Sequence, residues 1–529
     1  MKRIISAALL LAVSLAAMAQ LRVSTPNIEM ILKADQGSEL QIQYFGEKLS
    51  DADLANLEAA GVPNHNAYPA YGFWCASEAS LGVTHSDGNM STVLRVESVP
   101  QTDEPTAKVT RIKMKDTVYP FYVTLCYRAY QDVDMIETWT EIENLEKKPV
   151  VLTRFDSGYL PLRAGDVWIS HLHGTWAAEG LLVQEPLDRG MRVIKNKDGA
   201  RNSHTDHSEV MFSLDGKPQE NAGRVIGAAL CYSGNYELRV DTKDTDYHEF
   251  YAGINPDNSA YNLAAKEVFK TPELALTFSD EGLSGASRNF HRWGRKYKLA
   301  HGDKERKILL NSWEGVYFDI NEPGMDQMMA DIASMGGELF VMDDGWFGVK
   351  YPRLTDNCAL GDWEVDRNKL PNGIGWLGEQ AHKHGIKFGI WIEPEMVNPK
   401  SDLFEKHPDW AILFPNRKPY YHRNQLVLDM SNPDVQDYVF GVVDKILTEN
   451  PTLSFFKWDC NTPITNIYSP YLKDRQHNLY IDHTLGVMNV FERVQAKYPD
   501  VQMMMCSSGG CRNDYNGLKY FGEYWCSDN

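Results

Sequence analysis

The chain has 529 residues, of which 43% are hydrophobic and 24% charged, and its formal net charge at pH 7 is −19. This length exceeds what a single hydrophobic core usually spans, so we expect two or more domains. The negative charge argues against nucleic acid and against an anionic membrane surface as partners, and it suits a neutral substrate such as a sugar.

The first residues predict a secretory signal peptide over residues 1–19. Lys2 and Arg3 precede an apolar stretch, and Ala17-Met18-Ala19 offers a cleavage site of small residues before Gln20. The apolar stretch is shorter than the roughly 20 residues that a membrane-spanning helix needs. We therefore expect an exported protein, periplasmic or extracellular, with no membrane partner.

Residues 20–285 predict an N-terminal domain made of strands. Segments such as Phe121 to Tyr130 and Met135 to Glu143 are rich in β-branched and aromatic residues, and short polar turns such as Asp215-Gly216 separate the runs. This spacing is typical of a large antiparallel β-sandwich. The half carries no evident catalytic constellation, so we expect it to serve structure or oligomer contacts.

The pattern changes after a linker helix, which we predict over residues 286–304. Short apolar strands then alternate with helices over residues 305–529, and one of these helices begins at Pro433. The predicted strands run from Ile308 to Asn311, Leu339 to Met342, Lys387 to Trp391, Phe455 to Trp458, Val501 to Met505 and Tyr524 to Cys526. Repeated strand–helix units imply a parallel sheet, and we predict a (β/α)8 TIM-type barrel of which about six strands are present. A doubly wound sheet is the alternative, but its usual Gly-rich turn does not follow the first strand.

Polar and aromatic residues follow these strands, at the ends where a barrel places its site. The strand ends read Asn311-Ser312-Trp313-Glu314, Asp343-Asp344-Gly345-Trp346, Trp391-Ile392-Glu393-Pro394-Glu395, Lys457-Trp458-Asp459-Cys460-Asn461, Cys506-Ser507-Ser508-Gly509-Gly510 and Cys526-Ser527-Asp528-Asn529. Tryptophan rings pack against the C–H groups of a sugar, and carboxylates accept hydrogen bonds from its hydroxyls. The strand ends therefore predict a carbohydrate site.

Two of these carboxyl groups are suited to glycoside hydrolysis, which requires an acid and a second carboxylate on either side of the scissile bond. Asp459 follows the fourth strand and Asp528 the sixth. Lys457 lies two residues before Asp459, hence on the same face of the strand, where its charge would keep Asp459 ionised. The acid, Asp528, needs a less polar setting in order to stay protonated.

The barrel half resembles glycoside hydrolase family 36, whose best-known members are bacterial α-galactosidases of the melibiase type. The matching stretches, in order, are NSWEGVYFDI, MDDGWFG, GIWIEPEMVNP, HPDW, LDMSNP, FFKWDCN and CSSGGCRNDY. The N-terminal half fits the sandwich of that family, with YPAYG as its best local match. The resemblance implies a retaining α-galactosidase that releases terminal non-reducing α-D-galactosyl residues from oligosaccharides, with no cofactor and no metal.

The resemblance also implies roles for individual residues. Asp459 would be the nucleophile and Asp528 the general acid/base, while Asp343 and Asp344 would bind the 4- and 6-hydroxyls of galactose. The other residues implied to contact substrate are Trp313, Trp391, Arg423, Lys457, Asn461, Cys506 and Gly509. Cys506, by resemblance, favours plain galactose over N-acetylgalactosamine.

Three features depart from the family. Cys460 follows the proposed nucleophile where many relatives carry Met, and a disulfide within the group Cys460, Cys506, Cys511 and Cys526 stays open. The sequence after YPAYG lacks the Gly-Asp-Phe-Arg stretch of relatives. Because only six barrel strands are present, we expect the sequence to be part of a longer enzyme.

Other functions fit the same residues. An α-N-acetylgalactosaminidase or an α-galactosyltransferase would use the same scaffold, and a non-catalytic sugar-binding protein would have less reason to keep both Asp459 and Asp528. The sequence also leaves open a homo-oligomer of the full-length protein.

Overall fold

The computed structural model describes residues 20–59, 65–72 and 78–529. The predicted signal peptide, residues 1–19, lies outside the described residues, as does Cys75. Within the described ranges, no helix combines the length and the apolar character needed to cross a membrane.

The N-terminal half consists almost entirely of strands. They are β1 Leu21–Ser24, β2 Ile28–Lys33, β3 Gln41–Glu47, β4 His65–Asn66, β5 Leu81–Thr84, β6 Leu94–Ser98, β7 Gln101–Asp103, β8 Ala107–Asp116, β9 Phe121–Tyr130, β10 Ile136–Asn144, β11 Val150–Leu162, β12 Trp168–Thr175, β13 Ala178–Pro186, β14 Gly190–Lys195, β15 Asp206–Ser213, β16 Val225–Cys231, β17 Tyr236–Asp244, β18 Tyr247–Ile254, β19 Tyr261–Leu263, β20 Val268–Lys270 and β21 Glu273–Ser279. Among the residues of this half that the structure describes, one helix, α1 (Asp51–Ala59), interrupts the strands after β3.

These strands form two large antiparallel sheets and one small one. The order in the largest is β13-β12-β15-β16-β21-β10-β9-β8-β6, and in the second it is β14-β17-β18-β11-β19. The two share a buried core, in which Phe212 on β15 and Phe250 on β18 bring their ring centroids to 5.0 Å. The prediction of an N-terminal antiparallel β domain is therefore confirmed.

Strand β10 is buried on both faces, although its sequence alternates between apolar and polar residues. Glu137 is fully buried on the side away from the sandwich core and forms ion pairs with Arg128 at 2.8 Å and with Lys298 at 2.7 Å. Lys298 is the last residue of the helical connection to the second half. This connection consists of α2 (Gly282–Trp293) and a π-helical turn, Gly294–Lys298. The linker helix thus begins four residues before the predicted position.

The second half alternates strands and helices, as predicted. Its elements are β22 Leu309–Asn311, α3 Trp313–Val316, α4 Glu322–Ser334, β23 Leu339–Met342, α5 Gly373–Lys383, β24 Lys387–Ile392, β25 Met396–Val397, α6 Asp402–Lys406, β26 Leu426–Val427, α7 Pro433–Glu449, β27 Leu453–Trp458, α8 Leu479–Lys497, β28 Gln502–Met505 and β29 Glu523–Tyr524. Helix α7 begins at Pro433 because proline needs no hydrogen-bond partner for its nitrogen there, and the Asn432 side chain caps the turn by accepting from the Asp434 amide.

All six predicted strands belong to one parallel sheet, in the order β22-β23-β24-β27-β28-β29. The strands are adjacent in the sheet in the same order as in the chain. In a doubly wound sheet, by contrast, the spatial order of the strands reverses next to the first strand. The carboxyl ends of the six strands therefore lie at one edge of the sheet, and the residues that follow them come together there.

Candidate active site

The edge formed by the carboxyl ends of the strands opens into a cavity of about 1080 Å³. The predicted site residues that line it are Trp313, Asp343, Asp344, Trp391, Arg423, Lys457, Asp459, Asn461 and Asp528. The ends of all six strands, which are spread over more than 200 residues of sequence, contribute to one concave surface, as a ligand-binding site requires.

Asp459 follows β27 directly and is buried in the floor of the cavity. Its Oδ2 accepts a hydrogen bond of 3.0 Å from Trp391 Nε1, and its Oδ1 accepts from the backbone amides of Cys460 at 2.8 Å and Ser508 at 3.3 Å. Burial raises the pKa of Asp459, but the Lys457 charge and the bond from Trp391 lower it more, so that the pKa lies below its usual value. Asp459 is therefore held as a carboxylate.

Lys457 points into the cavity from the same strand face as Asp459, as its position two residues earlier predicts. Its Nζ lies 2.9 Å from Asp343 Oδ2, which also accepts a 2.6 Å bond from Asn311 Nδ2. Burial lowers the pKa of Lys457, but the charges of Asp343 and Asp459 raise it more, so that the pKa lies above its usual value. The ammonium group is thus held in its charged form and is paired directly with Asp343.

Asp344 has a different partner. Arg353 donates to it in a bidentate arrangement, with Nε 2.9 Å from Oδ1 and one terminal nitrogen 2.7 Å from Oδ2. Both side chains are buried, and burial raises the pKa of Asp344 although Arg353 opposes this. Sequence reasoning did not single out Arg353, because it lies in a loop nine residues after Asp344 with no motif of its own.

Asp528 lies at the exposed rim of the same cavity, after β29. Its Oδ2 accepts a 3.0 Å hydrogen bond from Trp176 Nε1. Desolvation and the charge of Asp459 raise the pKa of Asp528 above its usual value, and they outweigh the lowering by Trp176 and Lys457. The two carboxyl groups of the predicted pair thus have pKa values shifted in opposite directions.

Two predicted substrate contacts, Cys506 and Gly509, do not line the cavity; the residue of their turn that does is Ser508. The Cys506 side chain is 2% exposed. The turn closes tightly, with φ of 50° at Ser508 and 91° at Gly509. The predicted contacts of Cys506 and Gly509 with substrate, and the preference for galactose over N-acetylgalactosamine drawn from Cys506, stay predictions.

The cysteines near the cavity are not cross-linked. All seven cysteines within the described ranges carry free thiols, including the four whose pairing the sequence left open. The Sγ of Cys460 lies 3.2 Å from a terminal nitrogen of Arg512, which forms a buried ion pair with Glu395 at 2.6 Å. Cys460 therefore packs beneath the site.

The N-terminal domain also contributes to the cavity, through Trp176, Arg201 and His204. Arg201 donates a 3.0 Å bond to the backbone oxygen of Asn461, and His204 Nε2 lies 2.6 Å from the backbone oxygen of Ser508. We expected this half to serve structure or oligomer contacts, and in the structure these three of its residues also line the cavity. These residues follow no local pattern, since each meets its partner across about 260 or more positions of sequence.

A third carboxyl group lies behind Asp459. Glu393 is fully buried; its Oε1 accepts a 2.5 Å bond from the Asn461 amide and its Oε2 a 3.2 Å bond from Gln425 Nε2. Burial and the charge of Asp459 raise the pKa of Glu393 to about 8. Glu393 is consequently neutral at pH 7, which leaves Asp459 as the charged carboxylate of the two.

No group of three or more histidine, cysteine, aspartate or glutamate side chains in the described part of the chain is arranged to hold a metal ion. The paired Asp343 and Asp344 instead face the cationic groups of Lys457 and Arg353. The charge of each carboxylate is thus balanced by a side chain.

Comparison with protein families divides the chain into two adjacent parts. Residues 38–264 match the N-terminal domain of glycosyl hydrolase family 36, and residues 268–529 match the Melibiase family. Among curated proteins, the alpha-galactosidase AgaA of Geobacillus stearothermophilus is 36% identical over 482 residues, which cover 87% of this chain and 65% of that protein. The alpha-galactosidase Mel36A of Lactobacillus acidophilus is 33% identical, over 81% of this chain and 58% of its own length.

Solved structures agree with this grouping. A variant of AgaA in complex with stachyose superposes with a TM-score of 0.92 at 31% identity and covers 97% of this chain and 75% of that chain. The alpha-galactosidase of Lactobacillus brevis gives a TM-score of 0.90 at 29% identity over 96% and 72%. The chain spans about two thirds or less of the length of the two curated relatives. On its sequence and its fold, the chain belongs to glycoside hydrolase family 36.

Proposed function

We propose that the protein is a retaining α-galactosidase, with Asp459 as nucleophile and Asp528 as general acid/base. The observation that carries the proposal is that these two carboxyl groups line one cavity with pKa values shifted in opposite directions. A nucleophile must be ionised and an acid protonated at the same pH, so two carboxyl groups in different environments meet both requirements.

The proposed reaction has two steps. In the first, Asp459 attacks the anomeric carbon while Asp528 gives its proton to the glycosidic oxygen, so that the leaving sugar departs as a neutral alcohol. In the second, Asp528 as a carboxylate takes a proton from water, and the resulting nucleophile releases galactose from Asp459. Two inversions at one carbon give net retention.

Recognition of galactose is assigned to the paired carboxylates. Asp343 and Asp344 are oriented by Lys457 and Arg353, and in our proposal they accept hydrogen bonds from the 4- and 6-hydroxyls. The 4-hydroxyl is axial in galactose and equatorial in glucose, so a site built to bond it discriminates strongly. Trp313 and Trp391 form walls of the cavity and offer apolar surfaces to the ring.

The proposed substrates are oligosaccharides of the melibiose and raffinose type. The relatives AgaA and Mel36A are named alpha-galactosidases, and variants of AgaA have been solved in complex with raffinose and with stachyose. A neutral sugar as ligand also agrees with the strongly acidic composition of the chain. Hydrolysis of p-nitrophenyl α-N-acetylgalactosaminide in place of the galactoside would favour the alternative within the same scaffold.

We propose further that the six-stranded parallel sheet is an arc of a (β/α)8 barrel. Its strands follow one another in chain order, which is the winding of a barrel, and its site lies at their carboxyl ends. Export after cleavage before Gln20 is also a proposal, based on the basic and apolar pattern of residues 1–19. N-terminal sequencing of the secreted protein tests it, with Gln20 as the expected first residue.

A mechanism-based inhibitor tests the catalytic assignment. The complete protein is incubated with an activated α-galactosyl fluoride that forms a slowly hydrolysed glycosyl-enzyme, and the labelled peptide is mapped by mass spectrometry. The label is expected on Asp459, and the Asp459→Asn variant is expected to take up none. A label on another residue, or full activity of Asp459→Asn, would overturn the assignment.

A further inference from the structure

A hairpin of the N-terminal domain reaches the rim of the cavity. Strands β12 and β13 pair in antiparallel register up to Thr175 and Ala178, so the turn consists of Trp176 and Ala177. Ala177 has a φ of 60°, and the turn thereby places a large aromatic side chain at the tip of the hairpin. Trp176 is 58% exposed, although it lines the cavity.

The indole of Trp176 contacts the proposed acid directly. Its Nε1 lies 3.0 Å from Oδ2 of Asp528, across 352 positions of sequence. The indole N–H of Trp176 is thus hydrogen-bonded, while much of its ring stays exposed to solvent. An uncovered tryptophan beside a carboxyl group provides an apolar surface next to a polar group, as in sites that bind sugars.

The position of Asp528 determines the side of the bond on which Trp176 lies. A general acid contacts the glycosidic oxygen, and the galactosyl ring lies between that oxygen and the carboxylates Asp343 and Asp344. A residue that contacts the acid from the rim therefore lies on the side of the leaving group. The cavity of about 1080 Å³ is slightly larger than the usual range for ligand sites and leaves room for more than one sugar ring.

The same hairpin brings a second carboxyl group close to Asp528. Glu179 is packed against the Gly509 turn, where a Cβ atom at position 509 would lie 2.3 Å from its Oε1. Neither carboxyl oxygen of Glu179 is exposed, and neither has a hydrogen-bond partner among the described residues. Desolvation raises the pKa of Asp528 most, the charge of Asp459 adds to this effect, and Glu179 makes a smaller contribution in the same direction. The hairpin thus affects both the position and the protonation of the acid.

We infer that the tip of this hairpin forms the leaving-group subsite: Trp176 packs against the departing sugar and holds Asp528 in the orientation for proton transfer. The inference rests on the proposed function. When Asp459 bonds to the anomeric carbon and the bond to the glycosidic oxygen breaks, the proton of Asp528 passes to that oxygen. Trp176 takes no part in bond making, so it is a positioning residue for the acid and a contact for the leaving sugar.

Two variants separate these roles in the complete protein. Trp176→Phe keeps an aromatic surface but removes the hydrogen bond, and Trp176→Ala removes both. The matched control is Trp168→Phe. Trp168 lies at the base of the same hairpin and does not line the cavity, and the substitution removes the 3.2 Å hydrogen bond from its indole nitrogen to Asp166 Oδ1. Each is assayed with raffinose, whose leaving group needs a proton, and with p-nitrophenyl α-galactoside, whose leaving group needs little assistance.

For Trp176→Phe we expect kcat/KM for raffinose to fall about tenfold and that for the aryl galactoside to fall less than threefold, because a bond to an ionisable group contributes about that factor. Trp176→Ala should additionally raise KM for raffinose, and Trp168→Phe should match the wild type with both substrates. Equal losses with the two substrates, or no loss with either, would overturn the inference.

A binding measurement provides the second readout. In the Asp459→Asn background, titration calorimetry compares raffinose with galactose. Adding Trp176→Ala should weaken raffinose binding at least threefold and leave galactose binding unchanged, whereas an equal effect on both ligands contradicts a leaving-group subsite. Failure of the wild-type protein to hydrolyse any α-galactoside would reject the proposed function, while an active wild type with unaffected Trp176 variants would reject this inference alone.

Discussion

Trp391 Nε1 lies 3.0 Å from Oδ2 of Asp459, and both groups are buried. The tryptophan is the last residue but one of β24, and the aspartate follows the neighbouring strand β27, with which β24 pairs in parallel. The contact therefore follows from the register of two strands, and it joins a wall of the cavity to the proposed nucleophile. Four predictions test this and other relationships in the site.

Trp391→Phe should reduce kcat/KM for an α-galactoside by about 10- to 100-fold, since a hydrogen bond to a charged group contributes about 1.5–3 kcal/mol. The control is Trp363→Phe. Trp363 packs beside Trp391 with ring centroids 6.1 Å apart, and its indole nitrogen has no partner among the described residues. Steady-state kinetics should place the control within threefold of the wild type. Similar losses in both variants would assign the effect to packing.

Lys457→Met should move the acidic limb of the kcat/KM profile to higher pH. Activity requires ionised Asp459, and the Lys457 charge holds the pKa of Asp459 low, so that loss of the charge raises the pH at which activity appears. The variant should also lose about 3–5 kcal/mol of unfolding free energy, because buried Asp343 is left without its cation.

The control for Lys457 is Lys307→Met, which removes a half-exposed pair with Glu338 at 3.2 Å. Pairs of this kind contribute about 0–1 kcal/mol. Urea unfolding and pH profiles of both variants check the two effects. An unchanged acidic limb in Lys457→Met would show that another group governs it.

Asp528→Asn should remove the alkaline limb of the pH profile. The raised pKa of Asp528 keeps the acid protonated at low pH, and activity is lost as the pH rises through that pKa. An asparagine cannot titrate, so the small residual activity on p-nitrophenyl α-galactoside should be independent of pH above neutrality. Persistence of the wild-type alkaline limb in this variant would contradict the role of Asp528.

Glu393→Gln should make stability less dependent on pH between about 5 and 8. The pKa of Glu393 is raised to about 8 in the folded protein, whereas the unfolded chain titrates near 4.5. The folded state therefore keeps a proton that the unfolded state loses, and stability falls as pH rises through this window, by at most about 1.4 kcal/mol per pH unit.

Urea unfolding at pH 5, 6.5 and 8 measures this difference, with Glu364→Gln at an exposed position as the control. The wild type and the control should lose stability in parallel as the pH rises. Glu393→Gln should lose less, so that its free energy of unfolding relative to that of the wild type is higher at pH 8 than at pH 5. Parallel curves for all three proteins would contradict a neutral Glu393.

Local sequence patterns determined much of this architecture. The six strands of the parallel sheet, the start of α7 at Pro433 and the shared orientation of Lys457 and Asp459 were all predictable, because they depend on burial periodicity and on contacts within a few residues. The side chains of a strand point to the same face at every second residue, whatever the rest of the molecule does. The strand ends therefore located the site before any tertiary contact was known.

Tertiary structure alone decided the rest. Trp176 and Arg201 reach the cavity from another domain, Arg353 pairs with Asp344 from a loop, and Ser508 lines the cavity from the turn after β28. None of these contacts leaves a periodic trace. Trp176 and Arg201 meet residues hundreds of positions away only when both domains have packed, and Arg353 reaches Asp344 only when its loop has folded. The opposite pKa shifts of Asp459 and Asp528 arise likewise from desolvation and from neighbouring charges, which exist only once the chain has folded.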